Sequence, residues 1–130
     1  MEALHYFQVV PQRHSFDCAV ACLAMLLNKD YETTLLAFNS LAPLVHGVRV
    51  GDVKRAAAAL GARLKFSRKW DLEEDTGILA VRSVTRWKTD HMVVLKEGLI
   101  IDTDATVWEA AIYLQAYEAK VLSILTKEEG

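Results

Sequence analysis

Gln12-Arg13-His14-Ser15-Phe16-Asp17-Cys18-Ala19-Val20-Ala21-Cys22-Leu23-Ala24-Met25-Leu26-Leu27 is the stretch on which the fold turns. Residues 16–27 are apolar on nearly every side, with Asp17 placed to act as N-cap, and a helix without a polar face belongs at the centre of a fold. Its longest apolar run, residues 19–27, is about half of the ~20 residues that a bilayer span needs, so the pattern predicts a core helix and no transmembrane segment. Residues 31–39 and 50–60 read as amphipathic helices, the second opening near Gly51-Asp52 and closing at Gly61. Beyond Gly61 the hydrophobic period falls to two: Leu64 and Phe66 face one way, Arg63, Lys65 and Ser67 the other. Strands are expected over 78–84, 91–96 and 99–102, the last two joined through Lys96-Glu97-Gly98 as an antiparallel hairpin. Residues 106–114 suggest one more short helix, and 119–125 a final strand. Helices followed by strands imply an α+β fold, with an N-terminal helical half built on a central helix and packed on an antiparallel β-sheet.

At 130 residues, 52% hydrophobic and 25% charged, the chain has the composition of an ordinary folded protein. Without repeats or low-complexity runs it is expected to form a single domain over 1–130. Fifteen basic against 17 acidic residues give a net charge of −2, which lacks the basic footprint of a nucleic-acid or anionic-membrane binder. The cluster Arg63, Lys65, Arg68 and Lys69 is followed at once by Asp71, Glu73, Glu74 and Asp75, and reads as a solvated strand face. Trp70, Trp87 and Trp108 are spread singly, as core or edge residues rather than a base-stacking platform. Met1-Glu2-Ala3-Leu4-His5 lacks a basic stretch followed by an apolar one, so no secretory leader is expected. With only two cysteines for a disulfide framework, the expected location is the reducing cytoplasm.

Cys18 falls at the first turn of the core helix, where free N–H groups and the helix dipole favour negative charge. That is a nucleophile's position, and a nucleophile needs a base and a group to orient the base. His91 opens one strand of the hairpin and Asp102 ends the other, which makes them the expected base and orienting carboxylate. Gln12, six residues before Cys18, can offer its carboxamide beside the Cys18 N–H to a developing oxyanion. His14 is the rival base. Asp104 and Asp90 are rival carboxylates, Asp90 being disfavoured because neighbours on a strand point to opposite faces. Cys22, one helical turn on, is expected in the core, and His5 and His46 are expected to be structural. No cofactor is called for. The Cys18/Cys22 pair has no second pair or histidine cluster to complete a metal site.

Gln12, four intervening residues and Asp17-Cys18, continuing to Cys22-Leu23-Ala24-Met25, resemble the cysteine motif of the C39 peptidases, the bacteriocin-processing branch of the papain-like cysteine peptidases. His91-Met92-Val93-Val94-Leu95 resembles the family's histidine motif, and Leu99-Ile100-Ile101-Asp102 its third-residue strand. The resemblance runs from Gln12 to about Leu125. It departs from the family at Ala19, where a glycine is usual, at Thr103, where a proline is usual, and in a short hairpin. It implies a papain-like fold, Cys18 as nucleophile, His91 as base and then acid, Asp102 as orienting carboxylate and Gln12 as oxyanion donor. The implied activity is cleavage of a peptide or protein tail, in this family commonly after a double glycine. No nucleotide-binding or transmembrane part lies within these residues, so the domain is expected either to act alone or to find a separate exporter or delivery protein in trans. Two other readings share the residues: a catalytically retired domain that binds a leader peptide or protein partner, and a triad enzyme doing deamidation, transamidation or isopeptide cleavage.

Overall fold

A computed structural model describes residues 8–40, 42–45, 47–87 and 90–128; His5, His46 and the N-terminal stretch read for a leader lie outside them. Helix α1 (Cys18–Leu27) is followed by α2 (Tyr31–Ala37), α3 (Ala42–Val45) and α4 (Val50–Ala59). Strands β1 (Leu64–Ser67), β2 (Thr76–Arg82), β3 (His91–Lys96), β4 (Leu99–Ile101) and β5 (Val107–Glu109) come next, then α5 (Ala110–Ala116) and β6 (Lys120–Lys127). The result is a mixed helix and antiparallel-sheet structure. Its six strands run in the order β1-β6-β2-β3-β4-β5, and every neighbouring pair is antiparallel.

The residues from Ala19 to Leu26 are all buried in α1, as an apolar helix without a polar face requires. They pack with Val53, Ala56 and Ala57 of α4 and with Ile78, Met92, Val94, Ile101 and Leu125 of the sheet. Leu79, Val81, Val93, Leu95, Ile100 and Ile124 alternate with those strand residues and join Ala110 and Tyr113 of α5 in a second core. Side chains of a strand point to opposite faces in turn, so both faces of the sheet are covered. This is why β3 reads as an unbroken apolar run rather than an alternating one. Glu97 and Gly98 both have positive φ (43° and 91°) in the β3–β4 connection, the backbone of a two-residue hairpin turn.

Several expectations need correction. Asp17 sits at the N-cap position of α1 but makes no side-chain bond to the helix, because its carboxylate is engaged by the preceding loop. The strand expected over 78–84 begins at Thr76 and ends at Arg82, leaving Val84 in a turn and 94% exposed. Residues 107–109 form a strand rather than part of a helix, since Val107 and Trp108 pair with Ile101 and Ile100 and β-branched and aromatic side chains suit a pleated surface. The helix there therefore starts at Ala110 and covers the sheet face opposite α1. Phe66, expected to turn inward with Leu64, is 39% exposed on edge strand β1, under the Arg68 guanidinium 5.6 Å from its ring centre. Among the described residues no helix is long and apolar enough to cross a membrane.

Candidate active site

Cys18 is the first residue of α1, and Val20 and Ala21 already donate to the Asp17 carbonyl. The loop that delivers it is held by the Asp17 side chain. Asp17 is fully buried and accepts the N–H groups of Arg13 (2.9 Å) and His14 (3.0 Å) and the Tyr31 hydroxyl. The Arg13 guanidinium in turn lies 4.1 Å over the Tyr31 ring and pairs with Glu32. The Asp17 carboxylate thus clamps the approach to α1 against α2, and burial with the Asp17 hydrogen bond push the Tyr31 hydroxyl pKa up.

His91 is the first residue of β3, paired with Val81 of β2. The β3–β4 ladder ends at Val94 and Ile101; one more step would set Asp102 opposite Val93, on the same face as His91 and diagonal to it. His91 Nε2 and Asp102 Oδ1 are 2.8 Å apart. The chain then leaves the ladder, with Ala105 N–H donating to the Asp102 carbonyl and Ala105 at φ 70°. The turn carries Asp104 away: its carboxylate accepts the Thr106 N–H and hydroxyl. Asp90 is held by Arg82 at 2.8 and 3.1 Å. Of the three candidate carboxylates, Asp102 is the one that faces His91.

Asp102 is 5% exposed and accepts on both oxygens. Oδ1 takes His91 and the Thr103 N–H (2.7 Å), and Oδ2 takes the Tyr113 hydroxyl (2.8 Å). Burial raises its pKa, but the His91, Tyr113 and Thr103 bonds outweigh that and hold it below the usual carboxylate range. For His91 burial opposes the charge most strongly; the Asp102 hydrogen bond, followed by contact with Cys18, overcomes it and the pKa rises to about 9. Trp87 lies against His91, with ring centres 4.8 Å apart, and Tyr117 stacks on Trp87 at 5.6 Å. Tyr113 of α5 and Tyr117 at its C-cap therefore support the pair, one through Asp102 and the other through Trp87.

Cys18 and His91 line the same cleft, about 350 Å³ in volume, with Phe16, Gly47, Arg86 and Trp87 among its walls. Cys22 is fully buried, and burial raises its thiol pKa well above the ordinary value. His14 is outside the cleft lining, its N–H bound to Asp17. Gln12 is not on the cleft wall either: its Nε2 donates to the His14 carbonyl, and its Oε1 accepts the Thr103 hydroxyl. Among the described residues no group of three or more His, Cys, Asp or Glu side chains is placed to hold a metal ion.

The places of Trp87, Thr103, Tyr113 and Tyr117 at the site were not read from the sequence, where Trp87 was expected only as a core or edge residue and Thr103 only as a departure from the family's proline. The signal for Tyr113 and Tyr117 was their four-residue spacing, which puts both on one helix face, but nothing local aims that face at Asp102. Trp87 stands four residues before His91 in a loop, where spacing carries no direction.

No protein-family model and no curated protein matches the sequence. Among solved structures, this chain is similar to the peptidase domain of Streptococcus ComA, described as a bi-functional ABC transporter involved in a quorum-sensing pathway. The TM-score is 0.65 at 18% sequence identity, over 95% of this chain and 100% of that one. At that identity the likeness is one of fold.

Proposed function

We propose that this protein is a cysteine peptidase with a papain-like fold, cleaving a peptide or protein tail presented in extended form. The observation that carries the reading is the shared cleft. Cys18 and His91 line it together, and His91 turns Nε2 to Asp102, which keeps Nδ1 for the sulfur. Likeness of fold to a peptidase domain supports the same class of reaction.

In this reading His91 takes the Cys18 proton as the sulfur attacks the substrate carbonyl carbon. The oxyanion is met by the Cys18 N–H; Gln12, which lies beside the cleft rather than on its wall, is proposed as second donor through the one Nε2 hydrogen not committed to the His14 carbonyl. The C–N bond breaks as His91 gives its proton to the departing amine, leaving a thioester on Cys18. Water then adds to the thioester while His91 takes its proton, and collapse releases the acid and restores the starting pair. Asp102 holds the imidazole in one orientation throughout. A double-glycine cleavage site, a cytoplasmic location and a separate exporter or delivery protein belong to the same proposal, on the strength of the C39 resemblance.

An equimolar thiol alkylator at neutral pH, with the adduct located by mass, tests the reading. Cys18 should react at least tenfold faster than Cys22, and His91→Ala should remove the difference. Equal, slow modification of both cysteines would leave the retired binding domain as the better account. A panel of peptides with and without double-glycine sites, scored for new termini against side-chain deamidation, separates peptidase from deamidase.

A further inference from the structure

Thr103 is 2% exposed, and each of its polar groups is engaged. Its N–H donates to Asp102 Oδ1 at 2.7 Å, and its carbonyl accepts the Gln12 N–H at 2.8 Å. Its hydroxyl has one hydrogen and two acceptors in reach, Gln12 Oε1 and, at 3.4 Å, Asp102 Oδ1; Gln12 is the nearer. The direction of the Gln12 carboxamide follows from its partners. The His14 carbonyl can only accept, so the end facing it must be Nε2, and the end facing Thr103 must then be Oε1. Reversing the amide would set two acceptors against each other at His14. Held at both ends, the carboxamide keeps one Nε2 hydrogen uncommitted.

From this we infer that Thr103 is a positioning residue that sets the Gln12 carboxamide and the Asp102 carboxylate relative to each other. Gln12 precedes the nucleophile helix, whereas Thr103 lies 91 residues away at the end of the hairpin that carries His91. One residue therefore ties the loop before Cys18 to the turn behind His91. The tie stands on its own; its effect on acyl transfer rests on the function proposed above.

The test uses Thr103→Val, which keeps the shape and removes the hydroxyl, and Thr103→Ser, which keeps the hydroxyl. The Gln12 side-chain amide is followed by nitrogen-15 NMR, assigned by its loss in Gln12→Ala. Acylation of Cys18 by p-nitrophenyl acetate, which develops an oxyanion, is compared with alkylation by iodoacetamide, which does not. In Thr103→Val the Gln12 amide pair should move toward the positions of a free carboxamide, acylation should fall about tenfold and alkylation stay within about twofold, a loss smaller than deletion of an oxyanion donor gives. Thr103→Ser should match the wild type. Adding Thr103→Val to Gln12→Ala should cost nothing further, since the hydroxyl acts through Gln12. An unmoved Gln12 amide in Thr103→Val, unchanged acylation, or the same tenfold loss in the Gln12→Ala background would overturn the inference. Thr103→Ala carries the same expectations if the valine variant does not fold. Wild-type Cys18 reacting no faster than Cys22 would remove the peptidase reading, and the NMR comparison would still decide the tie.

Discussion

His91 stands where two demands on one imidazole conflict. Burial favours the neutral ring, while Asp102 and Cys18 favour the charged one and win, raising the pKa to about 9 from 6.5. The native protein therefore holds this proton more tightly than the unfolded chain does. That contribution to stability is complete below about pH 6.5 and is lost as pH rises through about 9. Asp102 works in the opposite window: its pKa is lowered from 3.8, so its contribution is present above about pH 4 and is lost as pH falls through the lowered value. Urea unfolding at pH 6 and pH 9.5 should show wild type losing more stability over the interval than His91→Gln, which cannot bind the proton; equal losses would assign the dependence to other groups. Asp102 is the carboxylate expected from the sequence, with Asp104 as rival and Asp90 disfavoured, but spacing alone does not separate carboxylates that lie within a few residues of a strand end. The choice is closed by bonds that are not local: Arg82 to Asp90, and the turn to Thr106 for Asp104.

The sequence places α4 well and β2 less well. In α4 the polar face and the Gly61 stop are legible, and the helix appears at Val50–Ala59. In β2 the apolar residues have no polar alternation to set the register, so the expected strand is displaced by two residues. At Gly77 the strand comes close to the β6 backbone. A Cβ there would stand 2.2 Å from the Leu125 carbonyl and 3.1 Å from Ile124 Cγ1 on β6, and a backbone carbonyl in a ladder cannot step aside. Gly77→Ala is expected to push β2 from β6 and cost about 2–3 kcal/mol of unfolding free energy, read from the urea midpoint. Gly61→Ala meets open space but has φ +84°, and should cost about 1–2 kcal/mol. The Asp17 clamp shows the same lesson from the other side. Spacing alone makes Asp17 a helix cap, whereas Tyr31 and the loop before it take the carboxylate first.

Across the whole molecule, β2, β3, β4 and β6 each give residues to both cores, so the two layers of helix share one sheet. Leu23 of α1 and Ile100 of β4 are both fully buried, one in each core. Leu23→Ala and Ile100→Ala should each cost about 2–5 kcal/mol. Because the strands are shared, each should lower the urea midpoints seen by tryptophan fluorescence and by far-ultraviolet circular dichroism together. A variant that shifted one probe alone would mean that the two cores unfold separately. The second core was not legible in the sequence: a short helix was expected over 106–114 and α5 stands at Ala110–Ala116, but nothing local says which face of the sheet it covers.

Hydrophobic pattern and spacing by themselves determined the apolar helix, the thiol at its first turn, the helix-then-strand order and the hairpin with a histidine and an aspartate at its ends. Each of these is local: a period, a cap or a turn is encoded within about a dozen residues. Only the tertiary structure decided which carboxylate meets His91, that Tyr113 takes its second oxygen, and that Thr103 joins Asp102 to Gln12. Those contacts hang on strand register and on where a turn leaves its ladder. Both are set by burial against elements far away in the chain, and no local spacing carries that information.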